Sequence, residues 1–426
     1  MTTRRDPPAA RRPAWAGRNY TLLTAAAVVT SLGNAGALVA AAFAVLRAGG
    51  DSGGIGLVAA ARTVPLVVFL LVGGAVADRL PRHRVMVAAN GLNAVSQAVF
   101  AALVLAGEAR LWQMALLSAL GGTGQAFFYP ASDGMLYASV SGEHPGRAFA
   151  YYRLAKHGGQ VGGAALGGAL VAAAGPGWVL AADAAAFAAA AGLRGFLDVS
   201  GAPRAAPGGG VLADLREGWR EFTGRPWLWA VVAQFSVVNA LMEAVEAVYG
   251  PLVAHDRLGG ARAWGLAVAG FGAGSVLGAL VMTRWRPRRL LLAGTLCVFP
   301  YALPAAALAA GVPLPGLVAA MVVGGAAIEM FAVSWMTAMR QEIPEDRLSR
   351  VSAYDWLGSL AVLPVATALA GPAESAVGRT AALWGAAGLT VLLTLAVLAV
   401  PDVRRLARRE AAAVAPGAGP PAAAPG

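Results

Sequence analysis

The sequence predicts an all-α membrane protein: twelve transmembrane helices in two pseudo-symmetric six-helix bundles, with both termini in the cytoplasm. Composition is the first reason. Of 426 residues, 58% are apolar and 13% charged, and mean hydropathy is +0.63. That balance leaves too little polar surface to cover a water-soluble domain of this length. The second reason is a series of apolar runs divided by short polar stretches. Lipid admits only helices or closed barrels, and runs of about 20 residues fit helices. The third is where the arginines fall: segments assigned inside carry twenty-five and the outer loops five, and basic residues accumulate on the cytoplasmic side.

In chain order, a basic, proline-broken cytoplasmic tail (1–19) precedes a first bundle (20–197), with spans at 20–46, 54–78, 84–106, 111–139, 148–174 and 177–197. The first run is too long for a signal-peptide core and is retained as a span. A cytoplasmic linker (198–226) opens Pro/Gly-rich and continues with Leu212, Leu215, Trp219 and Phe222 at helical spacing among Asp214, Arg216, Glu217, Arg220 and Glu221. That pattern is an amphipathic helix on the inner membrane surface, or a solvated linker helix. The second bundle (227–400) has spans at 227–250, 261–283, 289–310, 315–340, 350–371 and 379–400. The last stretch (401–426), ending in Ala/Pro/Gly low complexity, is expected to be a disordered cytoplasmic tail. Gly121-Gly122, Arg147 and Ala150-Tyr151 recur without a gap as Gly324-Gly325, Arg350 and Ala353-Tyr354. Two related six-helix halves explain the repeat.

The second span stops within one turn on Gly74-Ala75-Val76-Ala77-Asp78-Arg79-Leu80-Pro81-Arg82-His83-Arg84. This Gly-x-x-x-Asp-Arg-x-x-Arg spacing resembles the loop motif of the major facilitator superfamily of secondary transporters, with Pro81 in place of a glycine and His83 in place of an arginine. The fifth span's Gly159-x-x-x-Gly163-Ala164-Ala165-Leu166-Gly167-Gly168 is similar to a motif of that superfamily's bacterial proton-driven drug, siderophore and metabolite exporters, with Ala164 in place of a proline. The resemblance implies bundles that rock about a midplane substrate site. It also implies a gate, Gly74, Asp78, Arg79 and Arg82, in which Asp78 holds the inner ends together with Arg79 and Arg82 as partners; the alternative is that Arg79, Arg82 and Arg84 only fix topology. The fourth-span arginine of the superfamily is replaced by Ser118. On physical grounds alone, small residues at i and i+4 let helices approach closely, which makes Gly159, Gly163, Gly167 and Gly168 helix-packing residues.

Ionisable groups inside spans are functional candidates, because an unpaired charge in lipid is costly. Glu329, mid-span with no base adjacent in sequence, is a candidate proton carrier. Glu243 and Glu246, three apart and on one face of the seventh span, are a second proton-coupling pair, although Glu246 also fits the outer headgroup level. Asp183 is a carrier or a hydrogen-bonded packing group. Arg153, Lys156 and His157 form a basic patch on the fifth span, with Asp133 and Asp355 as expected partners; the patch serves ion pairing or an anionic substrate. Asn34, Arg62, Asn93, Gln97, Gln125 and Gln234 contact substrate or join helices. Phe127, Phe128, Tyr129, Phe235, Trp335 and Trp356 line an apolar cavity or face lipid.

Several classes are excluded. The sequence has no Gly-x-x-x-x-Gly-Lys-[Ser/Thr] loop, and its one lysine, Lys156, lies in a span, so ATP-driven transport by this chain alone is out. One cysteine, Cys297, gives neither a disulfide framework nor a multi-cysteine metal site. The net charge of +11 punctuates apolar segments rather than forming a nucleic-acid face. No nucleophile-base constellation suggests an enzyme. The expectation is a monomeric secondary transporter of the bacterial cytoplasmic membrane. It needs no cofactor or metal, and it moves a small amphipathic compound by alternating access. Proton-coupled export is favoured by the resemblance; proton-symport uptake and a non-transporting sensor or assembly role are the alternatives.

Overall fold

Ten helices among the described residues are long and apolar enough to cross a membrane. The computed structural model describes residues 17–139, 145–197 and 219–408, and apart from single-residue bridges they are helical. The first half consists of α1 (Arg18–Arg47), α2 (Ser52–Arg79), α3 (Arg82–Ala106), α4 (Leu111–Ser139), α5 (Pro145–Ala174) and α6 (Pro176–Gly195). Local chemistry sets their ends. The Asp51 carboxylate accepts from Gly54 N at 2.9 Å and caps α2. Gly107, at φ 74°, closes α3 in the left-handed region. Gly175 turns the chain at φ 100°, and Pro176, which has no N–H to lose, starts α6.

The second half is α7 (Pro226–Ala244), a π-turn (Val245–Tyr249), α8 (Gly250–Arg257), α9 (Ala261–Arg284), α10 (Leu290–Cys297), a 3-10 turn (Phe299–Ala302), α11 (Leu303–Ala310), α12 (Leu314–Glu342), α13 (Glu345–Ala361), α14 (Leu363–Val377), α15 (Arg379–Leu398) and the short α16 (Pro401–Arg405). Prolines account for the interruptions. Pro251 cannot donate to the Ala247 carbonyl, and the preceding turn widens to π; Pro300 and Pro304 likewise break the ninth span, and Pro364 the eleventh.

Within the first half, α1 packs on α5 and α6, α2 on α4, and α3 on α4 and α6. Within the second, α9 packs on α12, and α7 on α13, α14 and α15. The halves meet along two seams, α5 against α9 and α2 against α14. Both seams are glycine-lined and lie at one end of the molecule. A Cβ on Gly168 would stand 2.6 Å from the Ala261 carbonyl and 2.8 Å from Gly265 Cα, and one on Gly371 would stand 2.5 Å from Gly53 Cα. At the opposite end, where the arginine-rich loops gather, α2 barely touches α13. There Val64, Val68 and Val72, one helical turn apart on α2, are exposed.

The connecting segments are described in part. Residues 219–223 are helical, and Phe222 is buried against the protein. Its ring lies 6.0 Å from Trp219 and 6.0 Å from Tyr354. The segment from 401, expected to be disordered, forms α16 and is then pinned: Arg408 N donates to Arg288 O at 2.7 Å, and Gln341 Nε2 to Ala407 O at 2.8 Å. The rest of the tail, residues 1–16, and Leu212, Asp214, Leu215, Arg216 and Glu217 of the linker lie outside the described residues.

Candidate functional site

Arg62 enters the first half because Gly122 on α4 lacks a side chain and lets the Arg62 carbonyl lie against it. Arg62 Nη2 donates to Asn34 Oδ1 at 2.7 Å, and Gln125 Nε2 approaches the same oxygen at 3.4 Å. Asn93, Gln97, Ser118 and Phe187 complete a narrow pocket around them. Gln97 Nε2 also donates to Asp183 Oδ2 at 2.7 Å; Asp183 is wholly buried, and its Oδ1 rests beside Gly33 without a hydrogen-bond partner. Five of the six polar residues that were expected to bind substrate or join helices thus share one pocket. The sixth, Gln234, joins helices in the other half by donating to Thr394 Oγ1 at 2.9 Å.

Across the junction, Arg62 lies within electrostatic range of Glu243, the penultimate residue of α7. Glu246 sits in the π-turn, within range of Glu243, and Tyr301 in the 3-10 turn is within range of both carboxylates. Both glutamates are half-buried. Two irregular turns, far apart in sequence, therefore bring an acid pair and a phenol together opposite a guanidinium. Within the packed core of the second half runs an aromatic ladder: Phe235 stacks on Phe331 at 5.1 Å, Phe331 on Trp335 at 6.3 Å, and Trp227 meets Trp335 edge-on at 5.6 Å. Trp335 is buried, whereas Trp356 is exposed.

The remaining expected residues separate into groups. Glu329 has a base in reach after all: His157 of α5 is within electrostatic range of it, and Arg153 and Lys156 in turn lie within range of His157. The sequence could not show this, because α5 and α12 belong to different halves. Asp355, expected to pair with the fifth-span patch, instead accepts from Trp335 Nε1 at 3.2 Å, a donor in its own half. The side chains of Asp78 and Asp133 lie outside the described residues; Arg79 is exposed, Arg82 is half-buried, and a Cβ on Gly74 would meet nothing within 4 Å. Gly159, Gly163 and Gly167 face α1 at Val28, Leu32 and Gly36, while Gly168 faces α9 across the seam. Arg194, counted among the basic residues of the central loop, is buried, with its guanidinium 4.6 Å from the centre of the Phe128 ring. Position at the end of an apolar run gave no signal of that.

Comparison with known proteins settles the family. Residues 23–355 match the Major Facilitator Superfamily. The chain belongs to that superfamily. It is a multi-pass membrane protein of a family of transporters rather than enzymes. It is similar to the multidrug efflux pump Tap of Mycolicibacterium fortuitum, with 30% identity over 401 residues, covering 90% of this chain and 96% of that one. Among solved structures, the superfamily fold recurs in the nucleoside transporter NupG at a TM-score of 0.70 and 14% identity, covering 89% of this chain and 98% of that chain. It recurs too in a POT family transporter in complex with 5-aminolevulinic acid, at a TM-score of 0.70 and 10% identity, covering 91% and 96%.

Proposed function

We propose that this major facilitator superfamily member is a proton-coupled exporter of small amphipathic compounds, working as a monomer by alternating access between two six-helix halves with both termini cytoplasmic. The observation that carries the reading is the junction of Arg62 with Glu243, Glu246 and Tyr301. Like charges held close and away from water repel, and binding a proton relieves that repulsion. Arg62 opposite them offers the alternative relief, so protonation and the approach of the two halves compete for the same carboxylates. That competition is what couples a proton to a conformational change. The resemblance to a multidrug efflux pump supports outward transport of varied compounds.

The separated end carries the arginine-rich loops, so in this reading the structure is the state open to the cytoplasm. Closing it would bring Asp78, Arg79 and Arg82 against the start of α13, where a helix N-terminus favours a carboxylate. Gly74 leaves room for that approach. His157 and Glu329 lie within electrostatic range of each other across the halves, a second place where they interact. No cofactor enters; the sequence has no nucleotide-binding loop, and the proton gradient is the source of energy.

The test is efflux of fluorescent lipophilic compounds from cells, with and without a protonophore, for the natural chain, Glu246→Gln and Glu243→Gln. Efflux of the natural chain should collapse with the gradient, and each variant should lose concentrative efflux about tenfold or more while still binding substrate. Efflux indifferent to the protonophore sinks proton coupling; accumulation in place of efflux reverses the direction.

A further inference from the structure

The second half ends, on the side of its arginine-rich loops, in a basic face assembled from two distant segments. The loop after α9 supplies Arg286, Arg288 and Arg289, and the chain after α15 supplies Arg404, Arg405 and Arg408. Backbone contacts fix the two together: Arg408 N to Arg288 O at 2.7 Å, and an antiparallel bridge between Arg289 and Ala407. All but Arg408 are exposed. Within these two segments, Asp402 is the one acid among the described residues. Arg408 is half-buried, and its Nη1 is shut off from solvent with no hydrogen-bond partner. The exposed guanidinium groups around it are the ones a surface ligand can reach.

The matching loop of the first half sharpens the point. If the two loops are aligned on Pro81-Arg82 and Pro287-Arg288, three residues out of step with the gapless repeat, Asp78 falls on Arg284, Arg79 on Trp285 and Arg84 on Leu290. In that alignment the second loop keeps Arg82 as Arg288 and has an arginine where the first has its carboxylate, so it carries no acid of its own. The surface next to it indicates which anion fits. Leu277, Val281 and Trp285 form an exposed stripe on one face of α9, leading straight into the arginines. An apolar stripe, then a tryptophan, then guanidinium groups is the order of acyl chain, interface and headgroup in a lipid leaflet.

We propose that this face binds the phosphate headgroup of an anionic phospholipid, with its acyl chains along Leu277 and Val281. The site is independent of substrate and of the direction of transport. It differs from the general excess of inner arginines in being a defined two-segment surface.

The full-length protein in detergent, titrated with phosphatidylglycerol or phosphatidylcholine of identical chains and read by native mass spectrometry, tests it. Phosphatidylglycerol should be retained roughly tenfold better or more, given the usual contribution of each basic residue near an anionic headgroup. Arg288→Gln with Arg289→Gln should bring that preference to within about twofold of none, leaving phosphatidylcholine adducts unchanged. Arg288→Lys with Arg289→Lys, which keeps the charge, should retain most of it. Arg82→Gln with Arg84→Gln, the same charge removed from the other half, should leave the preference in place. Equal losses from the two glutamine pairs would reduce the effect to net charge and overturn the site. No preference in the natural chain would also overturn it, and so would displacement of the lipid by millimolar inorganic phosphate, which assigns the face to a soluble anion.

Discussion

In the first half, α1 to α6 run without interruption, and their buried polar groups are tied to one another, Arg62 to Asn34 and Gln97 to Asp183. In the second half, the spans that carry Glu246 and Tyr301 are each broken at the turn that holds the residue. The contrast teaches where movement is cheap. A continuous helix packed by glycines on its neighbour has two choices, fitted or displaced, because packed interiors do not deform smoothly. A π- or 3-10 turn has slack in its hydrogen bonds, and such turns recur at functional sites. The first half thus holds a fixed guanidinium, and the second offers carboxylates that can shift around it.

That contrast breaks most visibly at Gly167. Its Cα lies against Gly36 of α1, so Gly167→Leu should separate α1 from α5 and cost about 3 kcal/mol or more. Gly158, on the same helix, meets nothing within 4 Å, and Gly158→Leu should stay within about 0.5 kcal/mol. Thermal unfolding midpoints in detergent decide it; equal shifts would mean that the α1–α5 contact is not what holds the first half together.

The next largest effect belongs to Arg62. Arg62→Ala removes a charged hydrogen bond worth about 1.5–3 kcal/mol and leaves Glu243 without its facing charge, so efflux should fall roughly ten- to a hundredfold at unchanged membrane level. Arg62→Lys keeps the charge without the two-pronged geometry and should recover part of it. Full activity in Arg62→Ala would make Arg62 a helix-joining residue only.

Helix character and glycine packing were legible in the sequence, because run length and small-residue spacing act locally along one helix; the transporter class came from the resemblance of the loop motif at Gly74–Arg82. What joined two halves was not. His157 and Glu329 are 172 positions apart (329 − 157), and their proximity depends on how the halves dock. Arg62 read as one polar group among several, since its neighbours Asn34 and Gln125 come from other helices. The π-turn left a trace in Pro251, whose missing N–H falls within an otherwise apolar run, but the trace does not say which residue the widened turn presents. The expectation for Asp355 failed for the same reason in reverse: a tryptophan twenty residues away supplied the donor that a distant base was thought to give.

The gate gives a smaller effect. Asp78→Asn should lower efflux several-fold with membrane level unchanged, because the arginine-rich end would no longer close fully. Val68→Cys, exposed on α2 at that end, reports this directly. Its labelling by an impermeant maleimide from the cytoplasmic side should rise in the Asp78→Asn background, and unchanged labelling would remove Asp78 from the gate.

The smallest effect should come from the linker helix. Glu221 accepts from Arg225 of its own turn and from Arg347 at 2.8 Å, and Arg225 Nη1 donates to the Glu342 carbonyl at 2.7 Å. These contacts tie residues 221 and 225 to the second half, so they move with it. Arg347 is 42% exposed at its side chain, and an ion pair so open to water contributes about 1 kcal/mol at most. Glu221→Gln should therefore change efflux by less than about twofold, and raising ionic strength should mimic it in the natural chain, since salt screens exposed pairs. If Glu221→Gln abolishes transport while the protein stays folded, the linker helix works across the junction, and the broken second half is not the self-contained moving part inferred here.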